Sequence, residues 1–357
     1  MKTAYAGSGT ARETGTPAEY HLAPDEAAEL LSLAAELLSL AAELRTSAHR
    51  PVDPVFYDQH WPSVDRLPSG LRGFLRDFRH EEAHAAVLVH GLPVDDALIG
   101  PTPEHWEIPA DDHSSLDQEI ILGLCAMALG EPQTWATLQA GRMVQNIIPI
   151  SGNEKRQNGH SSDVLLEFHT EDGFHPRRCD YLLLMGLRNH DRVPTTVASV
   201  RDLSLSDEVR AVLAQERFAI LPDDEHIRQL TASDPTHPAL ARAIRMRDEP
   251  TPVAVLFGDR AAPYLRIDRP FMHCAPGDVE AERALDALMA ELLRVQRDVV
   301  VGPGTLLVVD NYQAVHGRRP FPSRYDGTDR WLKKITAGRD LRRHSSDDET
   351  RHPRVLL

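Results

Sequence analysis

The sequence predicts a mainly β domain with flanking helices. Two apolar runs read as buried strands: residues 85–92 (Ala-Ala-Val-Leu-Val-His-Gly-Leu) and residues 304–310 (Gly-Thr-Leu-Leu-Val-Val-Asp). The second is rich in β-branched residues and ends in the turn signal Asp310-Asn311. Two further segments, residues 29–45 and 279–297, repeat apolar residues at helical spacing. At 357 residues the chain is long enough to bury a large core.

Along the chain, residues 1–24 are small and polar and read as disordered. A single domain is expected over residues 25–337. Near its start, Leu30-Leu31-Ser32-Leu33-Ala34-Ala35-Glu36 is followed by Leu37-Leu38-Ser39-Leu40-Ala41-Ala42-Glu43, a literal heptad repeat and hence an amphipathic helix. Two heptads are short for a coiled coil, so packing on the core is the first reading and pairing into a homodimer the lesser one. After the strand at 85–92, residues 116–129 read as a helix, 141–150 as a strand and 151–163 as a Gly/Asn/Ser-rich loop. Residues 221–252 are rich in Pro, Asp and His with little strand pattern. So long an irregular connection is usually functional, and it reads as an active-site lid. The helix at 279–297 buries Leu285, Leu288, Met289, Leu292 and Leu293, and residues 338–357 read as a polar C-terminal tail.

Net charge is -15, from 39 Lys and Arg against 54 Asp and Glu. Such a balance disfavours nucleic acid and anionic membranes as partners and suits a cationic small molecule. Cys125, Cys179 and Cys274 are widely spaced, which argues against a zinc cluster or a disulfide framework. No apolar run reaches membrane-spanning length and no leader pattern is evident, so a cytoplasmic enzyme is expected.

The chemistry lies in two distant segments. The pattern His-x-[Asp/Glu] occurs three times, at His80/Glu82, His105/Glu107 and His169/Glu171, so context must separate the copies. His80 sits in a charged, helix-compatible run, and His105 lies among Pro101, Pro103 and Pro109. Only His169 follows a strand-like run, Val164-Leu165-Leu166, where residues i and i+2 share a face and converge on one ion. His316 follows the strand at 304–310. Two His and one carboxylate, with coordination positions left open, form the facial triad of non-haem iron(II) oxygenases. Arg330 then starts a run in which Arg330, Leu332 and Lys334 share a face if it is a strand. A buried guanidinium needs a partner, and its planar fork matches a carboxylate, that of 2-oxoglutarate beside the triad or that of a structural Asp.

These segments carry a family resemblance. His169 through Pro176, Tyr181 through Leu184 with Leu187-Arg188-Asn189, and Asp310-Asn311 through Pro320-Phe321 to Arg324–Leu332 resemble the clavaminate synthase-like oxygenases, over about residues 87–335. The likeness is strongest to their free amino-acid hydroxylases, such as the arginine 3-hydroxylase of viomycin assembly and the lysine and asparagine hydroxylases. It implies a double-stranded β-helix (jelly-roll) core and iron(II) on His169, Glu171 and His316. It also implies 2-oxoglutarate on Arg330, with O2 as oxidant. Related halogenases lack the carboxylate ligand, so Glu171 favours hydroxylation, with desaturation or cyclisation as alternatives.

The resemblance also points to substrate contacts. Gln145 matches a substrate-contacting position. A serine-rich stretch that meets the substrate carboxylate falls at Asn158-Gly159-His160-Ser161-Ser162, where Ser161 and Ser162 are the candidates. Lys334 stands where the arginine enzyme has a second Arg. Asp268 falls where that enzyme reads the guanidinium with two acids, and Pro270 stands in the second acid's place. Asp268 alternatively forms a structural ion pair with Arg266 or Arg269. The expected function is hydroxylation at C3 or C4 of a free, basic L-amino acid, in natural-product biosynthesis. The alternatives are an oxygenase acting on a carrier-tethered or peptidyl residue, and a non-catalytic metal-binding jelly roll.

Overall fold

The computed structural model describes residues 17–44, 50–107, 114–341 and 352–356. In chain order the strands are β1 (Ala18–His21), β2 (Ala86–His90), β3 (Glu131–Trp135), β4 (Gln145–Ile147), β5 (Leu166–His169), β6 (Tyr181–Arg188), β7 (Thr195–Ser199) and β8 (Phe218–Ile220). They continue with β9 (Leu256–Gly258), β10 (Pro263–Leu265), β11 (Met272–Cys274), β12 (Arg297–Val299), β13 (Leu306–Asp310), β14 (Ala314–Arg318), β15 (Trp331–Gly338) and β16 (Val355–Leu356). The helices are α1 (Pro24–Leu44), α2 (Pro54–His60), α3 (Ser69–Glu81), α4 (Asp96–Ile99), α5 (Leu116–Leu129), α6 (Asp207–Leu213), α7 (Asp224–Ser233), α8 (Pro238–Asp248) and α9 (Val279–Val295).

Two sheets carry the fold. The larger runs β1-β2-β13-β6-β15-β3-β16, with β4 also paired to β15, and the smaller runs β12-β7-β14-β5. Strand alternation sorts the apolar side chains into layers. Ala86, Leu88, Leu182, Leu184, Leu307, Val309 and Leu332 of the larger sheet meet Val197, Val299 and Ala314 of the smaller one. The opposite face of the larger sheet, through Val87, Val89, Leu183, Met185, Val308 and Ile335, packs on α1, α3 and α5. The outer face of the smaller sheet, through Ala198 and Val315, is covered by α6 and α9. This is the expected mainly β fold, a jelly-roll sandwich with helices on both sides.

The heptad's Leu30, Leu33, Ala34 and Leu37 are buried in the helix-covered core, which is the packing role expected for α1. Lys333 points the same way and is fully buried, which is tolerable because Glu119 of α5 lies 2.7 Å from its Nζ. Its neighbours Leu332 and Lys334 face the opposite side and line a pocket at the mouth of the sandwich.

Four expectations need correction. Residues 18–21, within the stretch read as disordered, form β1, which pairs in parallel with β2 from Ala18↔Val87 to His21↔His90. Pairing to the edge of an existing sheet orders a polar tetrapeptide that has no hydrophobic signal of its own; residues 1–16 lie outside the described residues. The connection at 221–252 is helical: Asp223 caps α7, and His237 caps α8 with Pro238 at its first turn. The tail at 338–357 starts with the last residue of β15 and contains β16, which pairs with β3, while residues 342–351 lie outside the described residues. The strand read at 141–150 is short, Gln145–Ile147. Among the described residues no helix is long and apolar enough to cross a membrane.

Candidate active site

Strand register brings the two distant segments together. In the β5–β14 ladder His169 is the direct partner of His316, and their ring centroids are 4.2 Å apart. Glu171 follows two residues beyond His169, just past the end of β5, and its Oε2 lies 3.9 Å from His169 Nε2 and 3.5 Å from His316 Nε2. One ligand atom from each residue falls within 4.8 Å of the other two. His169 Nδ1 lies 2.9 Å from the Glu167 carbonyl oxygen, which fixes the ring and leaves Nε2 for the cluster. The backbone of Glu171 is clasped by Asn311: Glu171 N–H donates to Asn311 Oδ1 (2.8 Å) and Asn311 Nδ2 donates to the Glu171 carbonyl (3.0 Å). Next to His316, a Cβ on Gly317 would meet the Leu166 carbonyl at 2.4 Å, so only glycine lets β5 approach this closely.

The donor set fits a divalent iron-type ion. Burial, with His316 nearby, pushes His169 down to about 4, so its ring is neutral with a lone pair to give. Burial pushes the Glu171 carboxyl up, but Lys334 and the two His outweigh it and hold it well below the usual carboxylate range. Lys334 Nζ sits 2.6 Å from Glu171 Oε1.

Two ends of opposite charge flank the triad. At one end Arg330 is buried, with its Nη2 donating to Thr195 Oγ1 (3.1 Å) and its Nε without a partner. No carboxylate lies against it among the described residues; the neighbouring charge is Arg318, and burial plus that like charge push Arg330 down to about 9. Arg318 is itself held by the Ser161 carbonyl and hydroxyl and by the Val164 carbonyl. Two buried guanidiniums in one pocket, with no carboxylate against either among the described residues, suit the binding of an anion.

At the other end sit acids. The segment before Asp268 is strapped to the edge beyond β5: Thr170 N–H donates to the Ile267 carbonyl (2.7 Å), Ile267 N–H donates to Thr170 Oγ1 (3.1 Å), and Asp268 lies opposite His169. The ion pair with Arg266 or Arg269 is absent, since Arg266 donates to the Gly173 carbonyl and Arg269 lies 3.8 Å from Asp286. Burial, then Asp223 and Glu171, raise the Asp268 carboxyl well above its usual range. Asp223, Glu225 and His226 from the start of α7 line the same pocket. His226 is anchored between Asp172 (3.3 Å) and Thr137 (2.6 Å).

Of the residues singled out in the sequence, His169, Glu171, His316, Arg330, Gln145, Asp268 and Lys334 all line this one pocket. Gln145 reaches it as the register partner of Lys334. Ser161 and Ser162 do not line it: their hydroxyls donate to the Asn158 carbonyl and bond Ser323, while Asn158 and His160 take the wall. Sequence reasoning missed Arg318, Asn311 and Asp223. Arg318 was findable, because His316-x-Arg318 repeats the same-face spacing of His169-x-Glu171; the other two act through turns and caps that leave no periodic signal.

Comparison with known proteins agrees with this geometry. The model of the taurine catabolism dioxygenase TauD, TfdA family matches residues 126–336. Enduracididine beta-hydroxylase of Streptomyces hygroscopicus is 44% identical over 291 residues, 78% of this chain and 84% of that protein. The L-ornithine/L-arginine 3-hydroxylase of Catenulispora acidiphila is 41% identical over 284 residues, 77% of this chain and 83% of that protein. The non-heme iron oxygenase OrfP, solved with Fe, succinate and (3S)-hydroxy-L-Arg, superposes with a TM-score of 0.86 at 39% identity, covering 96% of this chain and all of OrfP. It has also been solved with Fe and alpha-ketoglutaric acid. The family match spans more than half of the chain and the relatives align over most of its length, so the chain belongs to the TauD/TfdA family of dioxygenases.

Proposed function

We propose that this chain is an iron(II)- and 2-oxoglutarate-dependent hydroxylase of a free L-amino acid with a cationic side chain, acting at C3. The observation that carries this reading is the two-ended pocket: on one side of the His169/Glu171/His316 cluster buried Arg330 with no carboxylate against it among the described residues, on the other buried Asp268 with no cation against it among the described residues. The relatives named for hydroxylating arginine, ornithine and enduracididine support the basic side chain, and the positions in those names, beta and 3, support C3. Arginine, ornithine and cyclic guanidino derivatives are the substrate class.

Each residue then has a task. His169, Glu171 and His316 are the residues that would hold iron(II). Iron(II) bound there, with 2-oxoglutarate and O2, supplies the oxidising power that replaces C–H by C–OH and yields succinate and CO2. Arg330 pairs with the distant carboxylate of 2-oxoglutarate, and Arg318 adds positive potential beside it. Asp268 and Asp223 receive the cationic end of the substrate. Gln145 and Lys334 meet its amino and carboxylate groups, where Lys334 offers one ammonium instead of a planar fork. The α7–α8 segment serves as the cover that excludes water.

The test is a panel of free amino acids with iron(II) and 2-oxoglutarate, mixed anaerobically and then exposed to O2, with succinate measured. Basic amino acids should trigger succinate formation well above the substrate-free rate. Stimulation by neutral amino acids alone would overturn the substrate class, and stimulation by none would overturn the free-substrate reading.

A further inference from the structure

A second triangle of metal-type donors stands elsewhere in the fold, at the β1–β2 edge of the larger sheet. Glu19, His21 and His90 place one ligand atom each within 4.8 Å of the others. The construction repeats that of the active site. There, His169 and His316 are cross-strand partners and Glu171 lies two residues from His169; here, His21 and His90 are cross-strand partners and Glu19 lies two residues from His21. Residues i and i+2 on one strand share a face, and the register partner stands beside them, so any His pair with a neighbouring acid in this pattern aims three donors at one point.

The distances suit an ion. Glu19 Oε2 is 3.4 Å from His21 Nε2 and 3.6 Å from His90 Nε2. Donors around a tetrahedral ion with bonds of about 2.1 Å stand about 3.4 Å apart. The two imidazoles lie nearly parallel, with centroids 4.8 Å apart and planes 20° from each other, and both present Nε2 to the same carboxylate oxygen. A simple ion pair would engage one imidazolium, and two stacked imidazoliums would repel. Thr305 Oγ1 stands 3.4 Å from His90 Nδ1, leaving Nε2 as the nitrogen that faces Glu19.

We infer that Glu19, His21 and His90 form a second divalent transition-metal site that clips the N-terminal strand onto the sheet. Two imidazoles and a carboxylate with no thiolate select borderline ions such as Zn2+, Ni2+, Co2+ and Cu2+ over Mg2+ or Ca2+. His21 is largely exposed, so the fourth position is open to water. The site is independent of the proposed hydroxylase activity.

The experiment uses the full chain without an affinity tag, stripped by a chelator and equilibrated with Zn2+ at neutral pH, with bound metal counted per chain. The wild type should hold two equivalents and His21→Ala one. His169→Ala/His316→Ala, which removes the active-site imidazoles, should hold one, and adding His21→Ala to it should leave none. Zn2+ should raise the melting temperature of His169→Ala/His316→Ala but not of the triple variant, since an ion that binds only the folded state stabilises it by mass action. His21→Ala should keep iron- and 2-oxoglutarate-dependent turnover at the wild-type rate. No loss of metal with His21→Ala, or the same metal content and melting response to Zn2+ in His169→Ala/His316→Ala and in the triple variant, overturns the site, whatever the active site itself holds.

Discussion

Arg330 is where the geometry makes its most exposed commitment. Its guanidinium is buried; among the described residues its Nε has no partner, Thr195 is its one hydrogen-bonded neighbour, and the adjacent charge is the cation of Arg318. In the absence of an anion the protein therefore carries the cost of desolvating this charge unrepaid. Two consequences follow for Arg330→Ala. Without the guanidinium, the bound 2-oxoglutarate carboxylate is left buried and unpaired, and removing one partner of a buried pair costs about 3–5 kcal/mol. At about 1.4 kcal/mol per factor of ten, the KM for 2-oxoglutarate should rise by two to more than three orders of magnitude. The free protein, relieved of a buried cation, should melt no lower than the wild type. Initial rates of succinate formation against 2-oxoglutarate concentration, with thermal melts in its absence, measure both. Arg330→Lys should recover part of the affinity, because an ammonium restores charge without the fork. An unchanged KM would refute the reasoning and transfer the role to Arg318 or Lys334. A lower melting point without 2-oxoglutarate would show that Arg330 is already paired in the free protein.

Three further outcomes are expected. His316→Ala should abolish substrate-triggered 2-oxoglutarate consumption and weaken iron binding without unfolding the chain, while His105→Ala, at an exposed loop position, should leave turnover intact; full activity in His316→Ala would remove the triad. Asp268→Asn keeps the shape and removes the charge, so it should cost arginine about 1.5–3 kcal/mol in kcat/KM, the worth of one charge-assisted hydrogen bond, and cost its neutral isostere citrulline far less; equal losses would dismiss Asp268 as the countercharge. Asp310, at the end of β13, is pushed up to about 6 by burial, so between about pH 4 and pH 6 the folded state binds more protons than the unfolded one and stability falls as pH rises. The melting temperature of Asp310→Asn relative to wild type should therefore increase across that window and level off above it, and a difference independent of pH would contradict the assignment.

What the sequence made legible was whatever rests on period-two geometry. His169-x-Glu171 beside an apolar run, and Arg330, Leu332 and Lys334 on one face, become pocket walls because strand alternation fixes their side, and the buried run ending at Asp310 becomes the core strand β13. The helix read at 279–297 was legible from its apolar spacing of three to four residues, and α5 at 116–129 from a long apolar run. Features set by tertiary pairing were not. β1 has four residues and exists because β2 offers an edge; β16 has two. In residues 221–252 the Asp, His and Pro that suggested irregularity are helix caps and a first-turn proline, Asp223, His237 and Pro238. Ser161 and Ser162 were candidates through the family resemblance, but Arg318 and Ser323 engage their hydroxyls away from the pocket. Asn311 was read as a turn residue, and its amide also fastens Glu171 from across the sandwich, a contact spanning 140 residues.

The most direct test of the central claim, that one pocket joins an iron triad to an anion end and a cation-reading end, is product analysis. L-arginine, L-ornithine, L-lysine and L-citrulline would each be incubated with the chain, iron(II), 2-oxoglutarate and 18O-labelled O2. Mass spectrometry would then follow the amino acid, and NMR the modified carbon. The account predicts one labelled oxygen at C3 of a basic amino acid, one succinate formed per product, and little product from citrulline. Product from citrulline at the rate of arginine, or succinate formed with no oxygenated amino acid, would contradict it.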